Sequence, residues 1–175
     1  MADKASERNA LDRLFTDLLP SDAEKAIRHR AWIGQIAGLW AAFEHSIDSY
    51  AITLAGIPAD VGYCFTSQVI GPARKLDAYI ALARLCGAER FIKELNKFAE
   101  SATALAERRN RAIHDPWLLF DGRSPFRVEI TARRVLRNRI IPVSESEMEK
   151  LVDDLEAHLL RFVAIHDNIK SFIDK

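Results

Sequence analysis

The pattern that most constrains this chain lies between residues 36 and 54. Ile36, Trp40, Phe43, Ile47, Tyr50 and Leu54 step by four and three. That is an a/d seam, which needs an apolar partner along its whole length. Ser21, Asp22, Ala23 and Glu24 form a capping box ahead of it, and Gly56 suits a left-handed stop behind it. A helix from about 22 to 55 would be roughly 50 Å long at the standard rise. Only further helices cover a seam of that length, so the expected fold is an all-α, up-and-down bundle. Gly34 and Gly38 lie one turn apart within the helix. Glycine weakens a helix interior, so a close helix–helix approach is expected there.

The remaining periodicity supplies the partners. Leu11, Leu14, Phe15 and Leu18 recur at helical spacing within residues 7–19, and Pro20 follows. Residues 60–70 read as a shorter helix, broken at Gly71-Pro72. Pro72 suits a first helical position, and Leu76, Tyr79, Ile80 and Leu85 continue to Gly87. A helix starting near Glu89 keeps Phe91, Leu95, Phe98, Ala102 and Leu105 on one face. It ends at His114-Asp115, because Pro116 disfavours helical backbone in the residue before it. Residues 117–142 change character: two short strands flank Asp121-Gly122, and Val135–Ile141 offers a third. Ser144 and Glu147 form a second capping box before a long helix carrying Leu151, Leu155, Leu159, Phe162, Ile165 and Ile169. The expectation is one domain over residues 1–175, with five or six helices and a small β-hairpin insertion before the last.

The 175 residues are 49% hydrophobic. That excludes a disordered chain or a disulfide scaffold. Twenty-five basic and 25 acidic residues cancel, so there is no global electrostatic footprint for nucleic acid or membrane. The polar, charged start predicts no signal peptide, and no apolar stretch is long enough to span a bilayer. Cys64 and Cys86 stand in no metal spacing and read as buried small hydrophobes in a reducing compartment. A cytoplasmic protein is expected.

The segment with most chemistry is Glu107 to Trp117. It places Arg109, Asn110 and His114 at the end of a helix. Asn110 and His114 are four apart and share a face. Arg109 and His114 are five apart, roughly 140° round the helix. Two copies of the helix meeting across a dimer axis would present both residues to one cleft. From Glu107 to Ile141 there are nine arginines, no lysine and four acids, a local charge of +5 in a neutral chain. Arginine suits phosphate and base stacking, although a solvated hairpin has the same composition.

Arg-Asn-Arg-Ala-Ile-His at 109–114 resembles the Arg-Asn-x-x-x-His form of the Arg-x(4–6)-His motif of HEPN domains. The likeness extends to the preceding long helix with Trp40-Ala-Ala-Phe-Glu44, the short β segment and the capped final helix. HEPN domains are all-helical, often dimeric, and many are metal-independent endoribonucleases of toxin or defence systems. The resemblance implies that His114 acts as general base or acid and that Arg109 holds the phosphate. It implies that Asn110 orients, and that Glu44 or Asp48 on the long helix supports the motif. Arg108 and Arg111 would contact RNA. Histidine and arginine suit this work, one by titrating near neutrality and the other by its bidentate fork. No metal or cofactor is implied. The implied partners are RNA, a second copy and an antitoxin protein, with no membrane. A non-catalytic homodimeric module binding RNA, a nucleotide or a protein is the alternative.

Other residues have plainer readings. His114 in a last helical turn also complements the macrodipole. His29, His45, His158 and His166 lack metal-ligand spacing and read as surface or hydrogen-bonded histidines. The Trp40/Phe43/Ile47 stripe reads as core, and Trp117 as packing rather than a base stack.

Overall fold

The computed structural model describes residues 23–119, 125–131 and 137–175. These hold five α-helices: α1 (Ala23–Ala55), α2 (Ala59–Thr66), α3 (Pro72–Leu85), α4 (Ile92–His114) and α5 (Glu145–Ile173). A 3-10 turn at Glu89–Phe91 leads into α4. Three antiparallel strands precede α5: β1 (Trp117–Leu118), β2 (Phe126–Thr131) and β3 (Arg137–Pro142), in the order β1-β2-β3. The chain is mostly helical, with its small sheet before the last helix, as its periodicity predicts. The expected helix at 7–19, Ser21 and Asp22 of the first capping box, and the Asp121-Gly122 turn lie outside the described residues. No described helix is long and apolar enough to cross a membrane.

The element boundaries follow local chemistry. Ser144 Oγ accepts from the Glu147 amide at 3.2 Å, and Glu147 Oε2 accepts from the Ser144 amide at 2.7 Å. This reciprocal box starts α5 and holds the Glu147 carboxyl below its usual range. Gly71 at φ 84° takes the left-handed conformation that lets Pro72 open α3. The helix expected over 60–70 is shorter, because the backbone turns at Ser67–Val69.

The chain packs as two compact units, divided within α1, α4 and α5. The first contains Gln35–Arg109 and Leu151–Lys175. Its core takes the seam of α1: Ile36, Trp40, Phe43 and Ile47 are buried, with Tyr50 and Leu54 half-buried. Phe43, Phe98 and Phe162 pack together with centroids 5.3–6.0 Å apart, mixing edge-on and stacked contacts. Two histidines enter this aromatic core. His158 lies flat on Phe98 at 4.0 Å, and its buried Nε2 has no hydrogen-bond partner. Burial, with a smaller contribution from Arg161, lowers its pKa to about 4. His166 stacks on Tyr50 at 3.8 Å, and its Nδ1 lies 3.0 Å from Tyr79 Oη. The expectation of surface or hydrogen-bonded histidines therefore fails at His158, whose ring is treated as an apolar plate.

Two further expectations are corrected. A Cβ at Gly34 or Gly38 would meet nothing within 4 Å, so no helix of the described chain approaches there. The close approach is at buried Gly62, where a Cβ would run into the Ile52 side chain. Cys64 is exposed rather than buried, and Cys86 is half-buried, its thiol donating to Leu54 O at 3.4 Å.

The second unit contains residues up to Gly34, and Asn110–Lys150. Its sheet pairs Trp117 with Arg127 and Leu118 with Phe126. In β2 and β3, Val128 pairs with Ile140, Glu129 with Arg139 and Ile130 with Asn138. Directly paired residues share a face, so one face carries Trp117, Arg127, Glu129, Arg139 and Ile141. The other carries Leu118, Phe126, Val128, Ile130, Asn138, Ile140 and Pro142. The charged face meets the helices: Trp117 Nε1 donates to Ala112 O of α4 at 2.8 Å, and its ring sits edge-on to His29 of α1 at 4.4 Å. The usual rule for an antiparallel sheet, apolar inward and polar outward, is reversed. Ile130 and Ile140 are 49% and 66% exposed.

Candidate active site at the end of α4

The last two turns of α4 carry Arg109, Asn110 and His114 on one continuous helix. The helix stops at His114, two residues before Pro116, as expected. Asn110 and His114 are exposed, and Arg109 is half-buried. The i,i+4 spacing sets Asn110 and His114 one above the other.

Arg109 has a platform that its sequence neighbours do not reveal. Its guanidinium carbon lies 5.8 Å from the centroid of the Trp40 ring. The indole N–H of Trp40 donates to Glu44 Oε1 at 2.8 Å, one turn along α1. Trp40 therefore joins two residues expected to act together, Glu44 and Arg109. A guanidinium over an indole is held in orientation by the ring's negative face. The Trp40–Glu44 spacing of four, which puts both on one face of α1, is the sequence signal for this contact.

Asp48 is placed elsewhere. It is buried, and Lys75 Nζ of α3 donates to its Oδ2 at 2.6 Å. The two side chains are only 12% and 10% exposed. This pair holds α1 to α3, and the structure does not bring Asp48 to the α4 motif. Its partner lies 27 residues away, beyond the reach of local spacing.

The basic residues beside the motif carry carboxylate partners. Arg108 Nη1 donates to Asp154 Oδ2 of α5 at 2.6 Å. Arg111 meets Asp115 at 3.3 Å and Glu129 at 3.9 Å. Arg127 meets the same two acids at 3.5 and 3.7 Å. Arg111, Asp115, Arg127 and Glu129 thus close a ring of alternating charge between the end of α4 and β2. Among the described residues, Arg108, Arg111 and Arg127 of the arginine-rich segment are thus paired with carboxylates within the fold.

Chemically, the helix end offers an exposed imidazole, an amide one turn before it, and a guanidinium fixed over an indole. A guanidinium suits the oxygens of an anionic ester, and an imidazole can donate or accept a hydrogen bond. No protein-family model, curated protein or solved structure matches the chain.

Proposed function

We propose that the end of α4 is the active site of a HEPN-type, metal-independent endoribonuclease acting as a homodimer. The observation that carries this reading is the grouping of Arg109, Asn110 and exposed His114 in the last two turns of one helix. His114 takes the proton of the RNA 2′-hydroxyl. The 2′-oxygen forms a bond to phosphorus as the bond to the 5′-oxygen breaks, and a protonated imidazole returns a proton to that oxygen. Arg109 stabilises the charge developing on the phosphoryl oxygens, and its stack on Trp40 fixes its direction. Asn110 orients the imidazole from one turn away, and Glu44 steadies Trp40. The products carry a 2′,3′-cyclic phosphate and a 5′-hydroxyl. Toxin or phage-defence action with a neutralising partner protein belongs to the same proposal.

A second reading is a homodimeric binding module for RNA, a nucleotide or a protein. The carboxylate partners of Arg108 and Arg111 favour it, since they reduce the positive charge offered to a phosphate backbone. End-group analysis separates the two. Single-stranded and structured RNAs are incubated with the protein in EDTA, and the fragments are examined for cyclic phosphate. Cyclic-phosphate ends support the nuclease. Retention of RNA without fragmentation supports the module.

A further inference from the structure

The outward face of α3 carries an open groove of about 460 Å³, lined by Asp77, Ile80, Ala81, Arg84 and Leu85. Leu76, Tyr79 and Ala83 bury the opposite face of the helix in the core. Ile80 and Ala81 lie between the two charges, and Leu85, 84% exposed, flanks Arg84. A single exposed leucine is ordinary on a surface, but an apolar groove closed by a charge at each end has the form of a docking site. Among the described residues neither Asp77 nor Arg84 forms an ion pair, whereas exposed Arg28, Arg108 and Arg161 each have a carboxylate partner.

We propose that a second copy of this chain docks here, α3 against α3, antiparallel about a two-fold axis between Ile80 and Ala81. The charge pattern carries the choice of occupant. Asp77 and Arg84 are seven residues apart, so they lie nearly in line on one face, about 10 Å apart along the helix. Ile80 and Ala81 are the middle pair of that interval. Turning one helix end for end about this midpoint sets each Asp77 opposite the partner's Arg84. Two charges left single in one chain become two ion pairs in the dimer. Each half of the groove is then the complement of the other, which is what an isologous interface requires. A foreign partner would have to carry the same pattern independently. Ala81 ends at Cβ, so the two helices can approach closely at the axis, while Ile80 and Leu85 lose apolar surface to water. An anionic ligand is disfavoured, because Asp77 offsets the one arginine of the groove. The pairing supplies the contact for the homodimer proposed above and rests on that part of the reading; RNA cleavage is a separate readout.

The test is a charge swap in the full chain, read by sedimentation equilibrium. The groove is small for an interface, so a Kd on the order of micromolar is expected. Protein at roughly 1–500 µM brackets that value. Asp77→Arg and Arg84→Asp each set like charges opposite one another at both ends of the pairing. Each alone should raise the Kd at least about tenfold. Both changes in one chain invert the pattern and should restore the dimer. The two single variants, mixed in equal amounts, should form a heterodimer, which also shows that each is folded. A wild-type chain that stays monomeric overturns the proposal and the homodimer with it. A wild-type dimer that neither reversal weakens overturns the α3 interface and leaves the homodimer standing. Weakening that neither the double variant nor the mixture reverses also overturns the interface, because the two charges then do not face each other. The nuclease reading is judged apart from all of these, by the ends of the RNA fragments.

Discussion

Arg109 of the motif helix rests on Trp40 of the seam helix, with the guanidinium carbon 5.8 Å from the indole centroid and the indole N–H given to Glu44. Trp40→Phe keeps an aromatic face under Arg109 but removes the N–H. It should lower stability by about 1 kcal/mol, the worth of one hydrogen bond, and leave RNA cleavage largely intact. Trp40→Leu removes the platform as well and should raise KM for RNA beyond the Phe variant. Equal KM values for the two would show that the stack does not position Arg109.

The Asp48–Lys75 pair is a structural element in this account. Asp48→Asn leaves Lys75 buried without its counter-ion and should cost about 3–5 kcal/mol in chemical denaturation. Replacing both, as Asp48→Leu with Lys75→Met, should recover most of that loss. Cleavage per folded molecule should stay at wild-type level in the double variant. A lost rate in a fully folded double variant would return Asp48 to the chemistry.

The stability of the fold should fall in acid. The pKa of His158 in the folded protein is about 4, below its ordinary 6.5, because its ring is buried. His29 and His166 shift downward for the same reason. As pH drops, the unfolded chain takes up these protons first. Stability is therefore complete above about 6.5 and lost as pH falls from there toward 4, at up to about 1.4 kcal/mol per pH unit for each group. Urea midpoints at pH 7.5 and 5 measure the fall. His158→Leu should make it shallower, whereas a parallel pair of curves would contradict the assignment.

The charge ring predicts a gain of binding on removal of an acid. Glu129→Gln leaves Arg111 and Arg127 with one carboxylate between them, Asp115. RNA affinity at low salt should rise, and the slope of log K against log salt should steepen by about 1. An unchanged slope would show that the ring does not face the RNA.

Much of the helical frame was legible because it rests on local signals. The seam of α1, Pro72 after Gly71, the Ser144–Glu147 box and the stop of α4 at His114 each follow from residues within a few positions of one another. The misread features depend on distant partners. Asp48 is committed to Lys75, and no described residue comes within 4 Å of a Cβ at Gly34 or Gly38, while Gly62 takes the close contact with Ile52. The strands alternate correctly, but alternation does not say which face turns inward. Here Trp117 and the Arg127–Glu129 charges turn inward because α4 offers Ala112 O and Arg111, and the next residue offers the Asp115 carboxylate. The placement of Arg109, Asn110 and His114 at a helix end was legible, and the indole beneath Arg109 was not.

The glycines of α1 provide a check on the corrected packing. Gly34→Ala and Gly38→Ala meet nothing within 4 Å and should each stabilise the helix by about 0.5–1 kcal/mol. Gly62→Ala should destabilise by about 1–3 kcal/mol, since its Cβ displaces Ile52. Melting curves of the three variants decide this directly.

The most direct test of the central claim is the single-turnover rate of RNA cleavage in EDTA by wild type and by His114→Ala. His114 is exposed, so the variant should remain folded, as its melting curve checks. The account predicts cleavage by wild type with cyclic-phosphate ends and a rate at least about a hundredfold lower in the variant, the usual contribution of a general acid or base. Equal rates from the two proteins, or fragments with other ends, would contradict it.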